Sequence, residues 1–110
     1  MALVAVLTRD PRLSMDEWVE LIDRSPLLAR PKPREIVNRF TGARELHRFG
    51  PGDADVLSPP HGAVGAIEPS SEFEQDGELS VYAADGKHEL VRVAVQEIAS
   101  ALGANLEWFG

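Results

Sequence analysis

The last third of the chain, Gly77 to Phe109, constrains the fold more than any other stretch, because it reads as strand, helix, strand. Leu90, Val91, Ala94, Val95, Ile98, Ala101 and Leu102 recur at three- and four-residue steps. They draw one broad apolar stripe opposite Glu89, Arg92, Gln96, Glu97 and Ser100, the pattern of a helix with one buried side. Asp85 stands where an N-cap carboxylate accepts from the free amides of a first turn. Gly103 follows the stripe, where a left-handed residue ends a helix without a Cβ clash. Leu79, Val81 and Tyr82 before the helix, and Leu106, Trp108 and Phe109 after it, suit strands. If those strands share a sheet, the crossover between them is right-handed.

The first half adds a second such unit. Ala2 to Leu7 is apolar on both faces and predicts a strand inside its sheet; Thr8 to Arg12, with Asp10-Pro11, is a turn. Ser14 and Glu17 form an S-x-x-E capping box, and Leu13 with Trp18 fits the hydrophobic staple across it. Met15, Trp18, Val19 and Ile22 predict the buried stripe of that helix, and Ser25-Pro26 its end. Residues 26–34 carry three prolines and read as an irregular connection, with Arg30, Lys32 and Arg34 in a solvated loop or a basic contact patch. Ile36–Phe40 and Glu45–Phe49 read as short strands about a Thr41-Gly42 turn, Asp53–Gly62 as loop, and Ala63–Ile67 as a further strand. Asp76-Gly77 predicts a type I′ hairpin, joining a strand at Glu72–Gln75 to one starting at Glu78. The order β-α-β-β-β-α-β resembles a ferredoxin-like arrangement with insertions: one α+β domain over 1–110, with two helices on one face of a mostly antiparallel sheet.

Charge is unevenly placed. Residues 1–50 hold nine Lys/Arg and seven Asp/Glu, a balance of +2, whereas residues 51–110 hold two and eleven, a balance of −9. Such a surface repels nucleic acid and anionic lipid and attracts basic partners; solubility alone is the plainer reading. The chain has no cysteine, so disulfides and thiolate metal sites are excluded. The apolar opening MALVAVLT is interrupted at once by Arg9 and Asp10, which is too short for a signal peptide or a membrane span. A cytoplasmic protein is expected.

Sites of chemistry are hard to find. His47, His61 and His88 are far apart, and the Asp53, Asp55, His61 stretch lacks the ligand number and turn glycine of a calcium loop. No serine sits in a nucleophile elbow, and neither Gly50-Pro51-Gly52 nor the 62–65 stretch opens a helix that would cradle phosphate. No catalytic residue, metal or cofactor is predicted. What remains is acidic: Glu68, Glu72, Glu74, Asp76 and Glu78 lie close together around Phe73, with Asp53 and Asp55 upstream. As an exposed strip with an aromatic anchor these residues suit a basic protein surface; as a charged hairpin edge they guard against aggregation.

Several segments resemble one family. L-S-M-D-E-W at 13–18, followed by S-P-L at 25–27, is similar to an L-[ST]-x-x-E-W helix leading to D-P-x-L. N-R-F-T-G-A-R-E-L at 38–46 is similar to an N-P-x-T-G-E-x-I hairpin, and P-G-D-A-D at 51–55 to P-G-D-A-E. The segments D-G-E-L-S-V at 76–81 and E-I-A-S-A-L-G-A-N-L at 97–106 match a G-x-I-x-V strand and an I-A-x-x-L-x-A-x-V helix-to-strand end. The chain departs at Val56, where the family has tryptophan, and at Glu107-Trp108-Phe109-Gly110, where it ends in an acidic G-D-D-G-E-x-Y. The chain thus resembles small bacterial immunity proteins of polymorphic toxin and type VI secretion systems. The resemblance implies a non-enzymatic inhibitor that occludes a cognate toxin, possessing neither nucleic-acid nor membrane targets of its own. A small ligand-binding or enzymatic domain, with its pocket between the sheet and the 50–65 loop, is the alternative reading; a self-associating domain using the edge near Trp108 and Phe109 is a third.

Overall fold

The computed structural model describes residues 1–47 and 49–109, leaving aside the side chains of Arg34 and His47. The chain runs β1 (Ala2–Thr8), α1 (Met15–Arg24), β2 (Leu28–Ala29), β3 (Arg34–Val37), β4 (Arg44–His47), β5 (Ala54–Ser58), β6 (Gly62–Pro69), α2 (Phe73–Asp76), β7 (Leu79–Ala83), α3 (His88–Leu102) and β8 (Asn105–Trp108). Six strands form one sheet in the order β2-β5-β6-β7-β1-β8, while β3 and β4 pair with each other as a separate hairpin. Every pairing among the described residues is antiparallel. The architecture is α+β, and no helix among the described residues is long and apolar enough to cross a membrane.

Strand register decides which side chains go inside. Leu7 stands opposite Leu79 and Ala5 opposite Val81, Val81 opposite Ile67, and Ile67 opposite Ala54. Because side chains alternate across a strand, these residues share one face, and all are buried there with Trp18, Leu21 and Ile22 of α1 and Val91, Ala94, Val95, Ile98 and Ala99 of α3. Helix α3 packs on β5, β6 and β8, and α1 on β2. β1 is paired on both sides, which accounts for its apolar run. Arg92 stacks over the Trp108 ring, 4.7 Å from its centroid, and so ties α3 to β8.

The capping box at α1 is present: Ser14 Oγ accepts from the Glu17 amide at 3.2 Å and donates to the Glu17 carboxylate at 3.0 Å. Arg9 joins it, donating to Glu17 at 2.9 Å and to the Leu102 carbonyl at 3.2 Å. One guanidinium thus links the start of α1 to the end of α3. Gly103 caps α3 with φ of 63°.

The structure corrects several expectations. Asp85 is not the N-cap of α3, because Lys87 donates to the Ala84 carbonyl and a turn through Gly86, at φ 76°, intervenes. Glu72–Gln75 is not a strand and Asp76-Gly77 is not a type I′ turn. That turn needs positive φ at both central residues, and only Gly77 has it; Gly77 instead closes the one-turn helix α2. Asp53–Gly62 is not all loop, since β5 occupies its middle. Leu21 is buried in α1 while Met15 and Val19 are half-buried, and Ala99, one turn after Val95, is buried in α3 while Ala101 is exposed. The strand expected at Glu45–Phe49 ends at His47, with Arg48 outside the described residues.

Candidate functional site

The sheet has a covered face and an open one. Across the open face the register aligns Ala29 with Asp55, Asp55 with Ala66, Ala66 with Tyr82 and Tyr82 with Leu3. A neighbouring row aligns Glu68 with Ser80, Val6 and Glu107. The residues of these rows are half-buried or exposed, in contrast to the sealed opposite face.

The hairpin β3–β4 stands beside this face. Its tip is organised by Asn38, whose Oδ1 accepts from the amides of Phe40 at 2.9 Å and Thr41 at 3.3 Å. Ile36, Val37, Leu46 and Phe49 are exposed, and Phe40 is 99% exposed. Between hairpin and sheet lies a groove of about 630 Å³, walled by Pro31, Ile36 and Phe49 and floored by Asp53, Asp55, Ala66, Glu68 and Tyr82. No Lys, Arg or His side chain lines it among the described residues.

The lip of the groove is held by a buried bond. Trp18 is fully buried, and its Nε1 donates to the Gly52 carbonyl at 2.7 Å. Gly52 has no room for a side chain: a Cβ there would collide with Pro69 Cγ and meet Met15 Sδ at 3.0 Å. The following residue, Asp53, accepts from the Gly50 amide at 2.8 Å. The P-G-D-A-D segment therefore carries both Asp53 and Asp55 to the groove, and the loop at its start is fixed from beneath by α1.

The structure divides the acidic residues singled out in the sequence. Asp53, Asp55 and Glu68 come together in the groove. Glu72 and Glu74 lie elsewhere, exposed around α2 near Met15 and Ser70, and do not share a strand face. Asp76 serves the local turn, accepting from Ser70 Oγ at 2.9 Å and from the Glu78 amide at 2.8 Å; Glu78 is half-buried. Phe73 is not an exposed anchor. It is 5% exposed and belongs to the core, because the lone apolar residue of a polar stretch gains most by burial. Tyr82, Ile36 and Phe49 carry the aromatic and apolar part of the site instead. Tyr82 was legible: alternation through Leu79, Val81 and Ala83 puts Tyr82 on the other face.

Ion pairs decorate the flanks. Arg30 donates to Asp23 through Nε at 2.7 Å and Nη2 at 3.0 Å, which holds the Asp23 carboxyl below its ordinary range and the Arg30 guanidinium above its own. Glu17 is likewise lowered, by its hydrogen bond from Arg9 and then by that from Ser14. His61 lies exposed beyond the far end of β5 from Asp53, and no group of three metal-ligating side chains occurs among the described residues.

No family model, curated protein or solved structure matches the chain.

Proposed function

We propose that the protein is a non-catalytic inhibitor: an immunity protein, acting in the cytoplasm, that binds a cognate bacterial toxin and occludes its active site. The observation that carries this reading is the open sheet face, which is acidic and apolar together and is bounded by a hairpin with four large exposed apolar residues, Ile36, Val37, Phe40 and Leu46. A two-stranded hairpin is marginal alone, and exposed apolar surface rimmed by charge is characteristic of protein contact sites. The segments resembling immunity proteins agree with it. N-R-F-T-G-A-R-E-L covers the hairpin turn and β4, and P-G-D-A-D leads into β5. The acidic balance of residues 51–110 favours a toxin with a basic surface, such as a nuclease. We also read β8-β1-β7-β6 with α1 and α3 as a ferredoxin-like unit, extended by β5 and β2; the strand order supports this.

The test is capture on the tagged protein from lysate of its source organism, followed by a protection assay. One stoichiometric toxin whose activity the protein abolishes is the expected result; an inert or absent partner counts against the reading. The size of the groove also supports a second reading, a small-ligand site, since such pockets span roughly 300–1,000 Å³. Native mass spectrometry of the purified protein separates the two, because a ligand site predicts a bound small molecule.

A further inference from the structure

We propose that the β3–β4 hairpin is an inserting arm: its tip and outward side, led by Phe40 with Arg39 beside it, enter an apolar cleft of a partner protein whose rim carries carboxylates. This rests on the inhibitor reading and deepens it, because it names the element that occludes and the chemistry of the cleft it fills.

Register sets Val37 opposite Arg44 and Glu35 opposite Leu46, with Ile36 opposite Glu45 between them. Because side chains alternate along a strand, Ile36 lies on the side of the sheet, where it lines the groove, and Val37, Arg44, Glu35 and Leu46 lie on the side turned away. Val37 and Leu46 are exposed there, and Phe40 stands wholly in solvent at the tip. The tip is nonetheless held by hydrogen bonds. The Asn38 amide donates to the Ala43 carbonyl at 2.8 Å, its carbonyl accepts from the Gly42 amide at 2.8 Å, and its Oδ1 accepts from Phe40 and Thr41. Gly42 takes a φ of 72° to close the turn, and Thr41 Oγ1 accepts from the Ala43 amide at 3.2 Å. A preorganised tip lowers the ordering cost of binding, and aromatic residues and Arg are enriched at protein contacts.

Charge selects the occupant. Residues 31–48 hold five Lys/Arg and two Glu, a balance of +3, while the rest of the chain holds six and sixteen, a balance of −10. Arg39, next to Phe40, is exposed and has no ion-pair partner among the described residues. Arg44 meets Glu35 at 3.4 Å in an exposed pair, of a kind that contributes little to a fold and exchanges readily. Carboxylates on a cleft rim would meet both guanidiniums while apolar walls cover Phe40, Val37 and Leu46. The acidic remainder of the chain disfavours an anionic bilayer or a nucleic acid, and a second copy meets arm to arm only against like charge.

The experiment is a titration of the isotope-labelled full chain, followed by its amide resonances, with a carboxylate-rimmed calixarene, an apolar cup ringed by anions. Matched controls are the same cup with an ammonium rim and with a neutral rim. The expected result is a set of shifts centred on residues 37–44 with the carboxylate cup alone. Phe40→Ser and Arg39→Gln should each weaken that binding roughly fivefold or more. Both sites are exposed, so the melting temperature of either variant should stay at the wild-type value. Shifts centred on other cationic side chains such as Arg12 or Lys87, equal binding of the neutral or ammonium cup, or Phe40→Ser bound as tightly as the wild type would each overturn the proposal. So would self-association of the free protein that Phe40→Ser abolishes, since the arm would then serve a second copy. The inhibitor reading fails separately. A captured toxin neutralised equally well by Phe40→Ser removes the arm and keeps the inhibitor, whereas cup binding that needs Phe40, in a protein that neutralises nothing, keeps the arm and removes the inhibitor.

Discussion

Replacing Trp18 by Phe tests the link between the core and the groove. The indole is fully buried and its Nε1 donates to the Gly52 carbonyl at 2.7 Å. Phenylalanine keeps the six-membered ring, so the loss has two parts. The Gly52 carbonyl loses its partner inside the protein, at a cost of about 1–3 kcal/mol. The missing five-membered-ring atoms forfeit burial and leave a small void, about 1–2 kcal/mol at roughly 0.8 kcal/mol per buried carbon. Together the variant should lose about 2–5 kcal/mol, a large part of the roughly 5–15 kcal/mol that holds a domain together. Urea unfolding followed by far-ultraviolet circular dichroism measures it, with Val93→Ala, at an exposed site on α3, expected to stay within about 0.5 kcal/mol. Because Gly52 precedes Asp53, amide exchange at Gly50, Gly52 and Asp53 should also accelerate while that of α3 follows only the global change. A loss below about 1 kcal/mol with an unchanged urea slope would refute the reasoning, since it would mean that the indole bond contributes little to the folded state.

Further outcomes follow from the same packing. A Cβ on Gly65 would collide with the Tyr82 carbonyl and lie 2.9 Å from Val91 Cγ2, so Gly65→Ala should cost about 1–3 kcal/mol by overpacking, seen as a lower melting temperature. Gly77 holds φ at +63° with Leu13 N 2.9 Å from a would-be Cβ, so Gly77→Ala should destabilise while Gly103→Ala, in open space at the same φ, loses less. The lowered carboxyls of Glu17 and Asp23 contribute stability that is present above their ordinary range and lost as pH falls through their folded values. Melting temperature should therefore drop on acidification, and the drop should be shallower in Glu17→Gln with Asp23→Asn.

The amphipathic helices were the most legible part of the fold, because a stripe such as Val91, Ala94, Val95 and Ile98 can be buried in only one way. Helix ends were legible where a side chain itself makes the cap, as at Ser14 and Glu17. They were misread at Asp85, where a turn through Gly86 competes for the same residues. Asp76-Gly77 shows the limit of a dipeptide signal: the same glycine serves a hairpin or a helix C-cap, and only the neighbouring φ separates them. β5 was hidden by its flanking prolines, although Ala54, Asp55 and Val56 already alternate.

The site was half legible. Acidic composition pointed to Asp53, Asp55 and Glu68, but it also pointed to Glu72, Glu74 and Asp76, and local sequence cannot show that the two groups lie on different surfaces. Which residues gather is decided by the pairing of β5 with β6 and β6 with β7, contacts that no nearby pattern encodes. Ile36 and Phe49 entered the groove through the placement of the hairpin, which is a tertiary fact.

The most direct measurement is to pass lysate of the source organism over tagged wild-type protein and over the Glu68→Lys variant side by side, quantifying what each retains. The account predicts one stoichiometric basic toxin on the wild type, neutralised on addition of the free protein, and a marked loss on the variant. A toxin held equally by both, or a wild type that retains only a small molecule, would contradict it.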